Sequence, residues 1–165
     1  MKKLTIFFSL LSLMFVVPVV HAEQATVSQL NELLKGEISA TETYRQALEK
    51  VGDVPGAAEL RKNYTDHENA VATLRDWVMK HGGEPEKSSG AWGTWAETVV
   101  GSAKLLGDKS ALKALKEGEE HGTKEYQEAL QNNNVPNEIK DKIRSTFVPA
   151  QERHIDSINR LMQNV

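Results

Sequence analysis

Residues 36–48 read GEISATETYRQAL, and residues 118–130 read GEEHGTKEYQEAL. Six of the thirteen positions are identical when the two stretches are aligned at a separation of 82 residues. Further along the chain, Val54-Pro55 corresponds to Val135-Pro136, and His67 corresponds to His154. This repeat predicts two copies of one helical hairpin, each with a glutamate in its first helix and a histidine in its second.

Apolar side chains in both copies recur at alternating spacings of three and four residues, the pattern of a helix that buries one face. No stretch alternates with the period of two that a half-buried strand requires. The predicted fold class is therefore all-α, a four-helix bundle made of hairpin one (residues 27–81) and hairpin two (residues 109–165). The first helix is expected to begin at Val27, the second near Pro55 with Asp53 as its N-cap, and the fourth to run from Asn137 to Met162.

The first 22 residues form a segment of their own. Lys2 and Lys3 precede an almost purely apolar stretch that ends in Val20-His21-Ala22. A basic start, an apolar run and a small-residue cleavage site are typical of a secretory signal peptide, and the run is short for a membrane span. We therefore predict a signal peptide over residues 1–22, cleavage near Ala22 and a mature domain of residues 23–165 in the periplasm.

Charge and cysteine content restrict the function classes. Removal of Lys2 and Lys3 with the signal peptide changes the net charge from −3 to −5. An acidic domain without a basic cluster argues against nucleic acid as a partner, and no stable membrane insertion is expected after cleavage. The chain has no cysteine, so any metal or catalytic site must be built from histidines and carboxylates. The sequence leaves open whether the protein forms a homo-oligomer, and it does not identify a protein partner.

The connection between the hairpins, residues 82–108, is long for a structureless loop. Helical spacing within it predicts a short fifth helix along the outside of the bundle, which would let the second and third helices run parallel. The alternative is an exposed aromatic patch that contacts a membrane or a partner. The side chains concerned are Trp92, Trp95, Val99, Ala103 and Leu106.

Four ionisable residues lie on the inward faces of the predicted helices: Glu37, His67, Glu119 and His154. An unpaired carboxylate inside a protein costs several kcal/mol, so each of these groups needs a partner. One explanation is a metal ion that all four ligate at the centre of the bundle. The other is a pair of buried hydrogen bonds, Glu37 with His67 and Glu119 with His154, assisted by Tyr44, Tyr126 and Thr41.

The two hairpins, the long central connection and the Glu/His pair from each half resemble the ferritin-like (rubrerythrin-type) four-helix bundles. The mature chain is also similar to a bacterial family of ferritin-like bundle proteins of unknown function, through Gly118-Glu119-Glu120-His121, Tyr126, Ala129-Leu130 and Val135-Pro136. The resemblance implies a bundle whose best-known relatives hold two iron or manganese ions for oxidation or storage chemistry.

The ligand pattern departs from that of a two-metal bundle, which uses Glu-x-x-His in two of its helices. Tyr64 and Gln151 stand where the carboxylates before His67 and His154 would be. Two glutamates and two histidines could hold a single ion, with iron or manganese favoured over zinc, and a metal-free bundle is equally compatible. The carboxylates next to the histidines in sequence are expected to point towards water: Asp66, Glu68 and Glu152.

The number of residues between each position and the turn of hairpin two argues against a contact between Glu119 and His154. Glu119 lies 12 residues before Gln131, whereas His154 lies 18 residues after Pro136. At ~1.5 Å per residue the two positions differ by ~9 Å along the bundle, unless Pro149 kinks the fourth helix.

Two functions follow from these features. The first is an exported ferritin-like bundle protein that binds a single iron or manganese ion through Glu and His from both hairpins. The second is a metal-free structural or interaction module of the cell envelope, acting under stress. The sequence contains no Ser/His/Asp arrangement, phosphate-binding glycine loop or His-Glu-x-x-His motif, and so indicates no enzyme class.

Overall fold

The computed structural model describes residues 17–51, 55–90 and 109–164. In these ranges the chain forms α1 (Val17–Val51), α2 (Ala57–Lys80) and α3 (Lys109–Gln131). A fourth long helix follows, made of α4 (Asn137–Lys142), a π-helical segment (Ile143–Phe147) and α5 (Val148–Gln163). The described ranges contain no β-strand. The predicted all-α fold with four long helices is confirmed.

The helices pack pairwise. α1 packs mostly on α2, and α3 packs mostly on α5, as expected for two hairpins. The hairpins then meet through α1 with α3 and through α2 with α5. The fifth helix and the aromatic patch predicted around Trp92 and Trp95 fall within residues 91–108, outside the described ranges.

The core consists of two apolar clusters at opposite ends of the bundle. One contains Leu34, Leu74 and Ala129, and the other contains Leu60, Leu112 and Ile158. α2 and α3 both begin at the second cluster and end at the first, so these two helices run parallel, as the long connection predicted. A polar layer separates the two clusters.

Two helix boundaries differ from the prediction. α1 begins at Val17 rather than Val27, and so includes the last residues of the predicted signal peptide. α2 begins at Ala57 rather than at Pro55, because Gly56 adopts φ 93°, a left-handed conformation that interrupts the helix and favours glycine. The predicted N-cap Asp53 lies outside the described residues.

The fourth helix continues through Pro149. A π-helical segment over Ile143–Phe147 ends two residues before this proline. The proline ring has no N–H and clashes with the carbonyl four residues earlier, which belongs to Ser145. The wider π turn accommodates this missing hydrogen bond without ending the helix.

Among the described residues, no helix combines the length and the apolar character that a membrane span requires.

Candidate metal centre

The polar layer contains all four residues predicted from the repeat. Their exposed fractions are 5% for Glu37, 2% for His67, 3% for Glu119 and 2% for His154. Within hairpin one, Nδ1 of His67 lies 2.7 Å from Oε2 of Glu37. Within hairpin two, Nδ1 of His154 lies 3.3 Å from Oε2 of Glu119. Both predicted Glu–His contacts are therefore present.

The axial count that separated Glu119 from His154 by ~9 Å was wrong about their side chains. Side chains tilt towards the N-terminus of their own helix, so in two antiparallel helices they lean in opposite directions. Glu119 and His154 lean towards each other along the bundle axis and close the gap. The π turn contributes as well, because it adds a residue with little extra rise.

A third contact connects the two hairpins. Nε2 of His67 lies 3.2 Å from Oε1 of Glu119, so each ring nitrogen of His67 faces a carboxylate from a different hairpin. The two imidazole rings also lie close together, with centroids 4.8 Å apart. His67 is therefore the central residue of the cluster.

The two tyrosines of the repeat cross between the hairpins. The hydroxyl of Tyr44 donates to Oε1 of Glu119 at 2.5 Å, and the hydroxyl of Tyr126 donates to Oε1 of Glu37 at 2.7 Å. Thr41 does not assist the carboxylates as predicted, because its hydroxyl bonds the backbone carbonyl of Glu37. The tyrosine of each repeat thus holds the glutamate of the other.

Three further buried side chains take part in the hydrogen bonds of the cluster: Asn63, Gln151 and Ser157. Asn63, 3% exposed, donates to the Tyr44 hydroxyl at 3.2 Å and to Oγ of Ser157 at 2.9 Å. Gln151 donates from Nε2 to Oε1 of Glu37 at 3.2 Å. Tyr64, next to Asn63 on α2, is half-buried, and its hydroxyl donates to Glu68 at the surface.

The position of Asp66 on α2 had indicated that its carboxylate faces water, but the carboxylate also contacts the cluster. Its Oδ2 lies 3.2 Å from Nε2 of His154, and the Asp66 side chain is 28% exposed. The angle around α2 turns Asp66 away from the inward face, but the imidazole of His154 reaches across from α5 to meet its carboxylate. The other two carboxylates, Glu68 and Glu152, are exposed as predicted.

The cluster stabilises opposite charges on His67 and Glu119. Burial disfavours the charged form of His67, but the negative charges of Glu119 and Glu37 outweigh burial and raise the pKa of His67 to about 10. Burial alone would raise the pKa of Glu119, but His67 and the hydrogen bonds from both histidines lower it to about 2. Burial, together with Glu119 and Glu37 respectively, raises the pKa of Tyr44 and Tyr126 well above the usual value, which keeps both hydroxyls as donors.

Three of the four predicted ligands converge. His67, Glu119 and His154 each offer one ligand atom, and these atoms lie within 4.8 Å of one another. Glu37 is not part of this group, because its carboxylate faces the far ring nitrogen of His67. Two imidazoles and one carboxylate are the donor set of many mononuclear iron sites and of some zinc sites.

A fourth acidic residue, Glu125, lies beside the cluster on α3. Burial, followed by the charges of Glu32, Glu128 and Glu37, raises the pKa of Glu125 to about 7. The stability associated with this proton is complete below the ordinary pKa of 4.5 and is lost as the pH rises through about 7.

Replacing Glu125 by Gln should therefore stabilise the protein at pH 8 and have little effect near pH 4.5, because glutamine cannot acquire the unfavourable charge. Thermal unfolding of wild type and Glu125→Gln across this pH range measures the difference. Glu120→Gln, an exposed position on the same helix, is the control and should show no such trend. An equal effect of Glu125→Gln at both pH values would contradict the expectation.

Comparison with known proteins identifies a family. A family model described as a domain of unknown function (DUF2383) matches residues 25–132, more than half of the chain, which therefore belongs to that family. The matched range includes Glu37, His67 and Glu119 and ends before His154. No curated protein and no solved structure matches the chain.

Proposed function

We propose that this DUF2383 protein is an exported bundle of the ferritin-like class that binds one divalent transition-metal ion. The ligands are His67, Glu119 and His154, through the two ring nitrogens and the carboxylate that face one another. The observation that carries the proposal is the convergence of these three buried ligand atoms within 4.8 Å. Bond lengths of about 2 Å to each ligand would bring one ion into contact with all three after small side-chain movements.

Glu37 has a supporting role in this proposal rather than that of a ligand. A histidine that ligates a metal through one nitrogen usually donates its other N–H to a carboxylate, which fixes the ring orientation. Nδ1 of His67 lies 2.7 Å from Oε2 of Glu37 and has that partner. The Tyr126 hydroxyl and the Gln151 amide in turn hold Glu37 in place.

The charges of the cluster are compatible with a divalent ion. Glu37 and Glu119 bring two negative charges into a layer that is almost fully shielded from water. A divalent cation balances these two charges once the ligating nitrogen of His67 has released its proton. Binding of the metal therefore competes with protons and should weaken as the pH falls.

A single ion fits this site better than two. Two-metal bundles need a carboxylate three residues before each histidine, and Tyr64 and Gln151 occupy those positions. With two imidazoles and one carboxylate we favour iron or manganese over zinc, and binding or redox buffering of that metal as the function. The resemblance to ferritin-like bundles supports the same metals.

Metal analysis of the full-length protein tests the proposal. Protein recovered from the periplasm of an expressing bacterium, without chelator, should contain about one iron or manganese ion per chain and begin at Glu23 if the signal is cleaved after Ala22. His67→Ala and His154→Ala should each lose the metal, because a two-ligand site binds weakly. His121→Ala removes an exposed histidine of α3 and should retain it. Sub-stoichiometric metal that neither ligand variant changes would refute the proposal.

The second candidate is a metal-free structural or interaction module of the envelope. It is favoured by the hydrogen bonds of the cluster, in which both carboxylates already accept from histidine and tyrosine. This function predicts that a chelator leaves the melting temperature unchanged. A metal that binds only the folded protein raises the melting temperature instead, so the same preparation distinguishes the two candidates.

A further inference from the structure

A cavity of about 220 Å³ lies between α1 and α3, next to the Glu/His cluster. Leu33, Ala40 and Leu115 give it an apolar wall. Gly36 and Gly122 also line it, and their lack of a side chain lets polar side chains come close: a Cβ at Gly122 would lie 3.2 Å from Nε2 of Gln151. The metal proposed above does not account for this cavity, because an ion occupies far less volume.

One buried polar atom at this cavity has no partner among the described residues. Gln151 is 4% exposed and lines the cavity, and its Oε1 accepts no hydrogen bond. The orientation of the amide is fixed, because its Nε2 donates to Oε1 of Glu37, and a flipped amide would place two oxygens together. An unpaired buried acceptor is destabilising, so a donor from a ligand would be stabilising there.

The second available polar group is the carboxylate of Glu125. It reaches across the gap to α1 and lies so close to Gly36 that a Cβ at that position would be 2.9 Å from Oε2 of Glu125. Burial raises the pKa of this carboxyl to about 7. The described lining residues include no lysine or arginine, but they include His67 and His121, and Nε2 of the exposed His121 lies 3.6 Å from Oε1 of Glu125.

We propose that this cavity is a binding site for a small organic cation, a primary ammonium group on a compact apolar body. The ammonium would donate to Oε1 of Gln151 or to the Glu125 carboxylate, and the apolar body would pack on Leu33, Ala40 and Leu115. A cavity of 150 Å³ in another protein accommodates benzene, so about 220 Å³ suits a ligand with roughly seven to ten non-hydrogen atoms. This site is independent of whether the neighbouring cluster holds a metal.

Three molecules of nearly equal size separate the contributions of charge and shape: cyclohexylammonium, cyclohexanol and cyclohexanecarboxylate. We expect cyclohexylammonium to bind chelator-treated full-length protein about tenfold more tightly than cyclohexanol, a difference of about 1.4 kcal/mol. Cyclohexanecarboxylate should not bind. Two-dimensional ¹H–¹⁵N NMR titrations give the affinities, and the amide signals of Gly36 and Gly122 should shift. Gly82, at the end of α2, is the internal control and should not.

Two substitutions test whether the Glu125 charge and the open volume of the cavity are needed for binding. Glu125→Gln should reduce the preference for the ammonium over the alcohol from about tenfold to below about twofold, and Glu120→Gln should leave it unchanged. Ala40→Leu fills the cavity and should prevent binding of both the ammonium and the alcohol. If this variant does not fold, the comparison of Glu125→Gln with Glu120→Gln still tests the proposal. Equal affinity for all three molecules, no binding, or shifts that spare Gly36 and Gly122 would overturn the proposal.

Discussion

Replacing Glu119 by Ala should lower the free energy of unfolding of the metal-free protein by about 3–5 kcal/mol, because it removes one of the two carboxylates that face the buried charge of His67 and also the acceptor of the Tyr44 hydroxyl. Glu119 accepts hydrogen bonds from the Tyr44 hydroxyl and faces ring nitrogens of His67 and His154. All three groups would be left facing a cavity. Urea unfolding, followed by circular dichroism in the presence of a chelator, measures the loss.

Glu120→Ala is the matched control for this variant. Glu120 follows Glu119 on α3, its side chain is 54% exposed, and its only described ion pair, with Lys116, spans 3.5 Å. An exposed pair of this kind contributes at most about 1 kcal/mol, so Glu120→Ala should be nearly neutral. If Glu119→Ala does not fold, Glu119→Gln keeps the shape and should still lose stability. A loss below about 1 kcal/mol in Glu119→Ala would contradict the view that the cluster holds the hairpins together.

The second large effect is expected from Gln151→Glu. This variant should be less stable than wild type without metal, and its melting temperature should rise more when metal is added. The amide of Gln151 now donates to Glu37 at 3.2 Å. A carboxylate there would face another carboxylate, which should cost about 1–3 kcal/mol at pH 8. The same carboxylate stands three residues before His154, where two-metal bundles carry a ligand. Added Fe²⁺ or Mn²⁺ should therefore raise the melting temperature more in Gln151→Glu than in wild type.

The control for Gln151→Glu is Gln127→Glu, the same substitution at an exposed position of α3. Thermal unfolding of wild type, Gln151→Glu and Gln127→Glu, each with chelator and with excess metal, gives the change in melting temperature that metal causes in each protein. Gln127→Glu should unfold at the wild-type temperature under both conditions. A Gln151→Glu protein that matches wild type with chelator would contradict the contact between Gln151 and Glu37. One that gains no more from metal than wild type does would show that Gln151 is remote from any metal site.

The residues of the cluster could be predicted from sequence because the repeat and the helical period agree. Each copy places a glutamate on the inward face of its first helix, and His67 and His154 fall on the inward faces of the second and fourth helices. Periodicity gives the side of a helix on which a residue lies. That was sufficient to offer the two Glu–His contacts as one of two explanations for the buried charges, although the residue count along the helices argued against the contact between Glu119 and His154.

Contacts between the two hairpins could not be predicted in the same way, because they depend on how far a side chain reaches beyond its own helix. The crossing of Tyr44 to Glu119 and of Tyr126 to Glu37 is one example. The contact of Asp66 with His154 is another, since the angle around α2 alone placed this carboxylate towards water. Asn63 and Tyr64 both fit the spacing on α2, and only packing decides that Asn63 is the buried one.

The most direct measurement of the central claim is X-ray absorption at the metal edge of protein loaded with one equivalent of metal. Zinc is a convenient probe, because its bonds to imidazole nitrogen and carboxylate oxygen are about 2.0–2.2 Å long. We expect a first shell at that distance with outer-shell scattering from two imidazole rings. His67→Ala and His154→Ala should retain little zinc once unbound metal is removed, and neither should show scattering from two rings. A shell of oxygen atoms without imidazole scattering, unchanged in both variants, would contradict a metal centre at His67, Glu119 and His154.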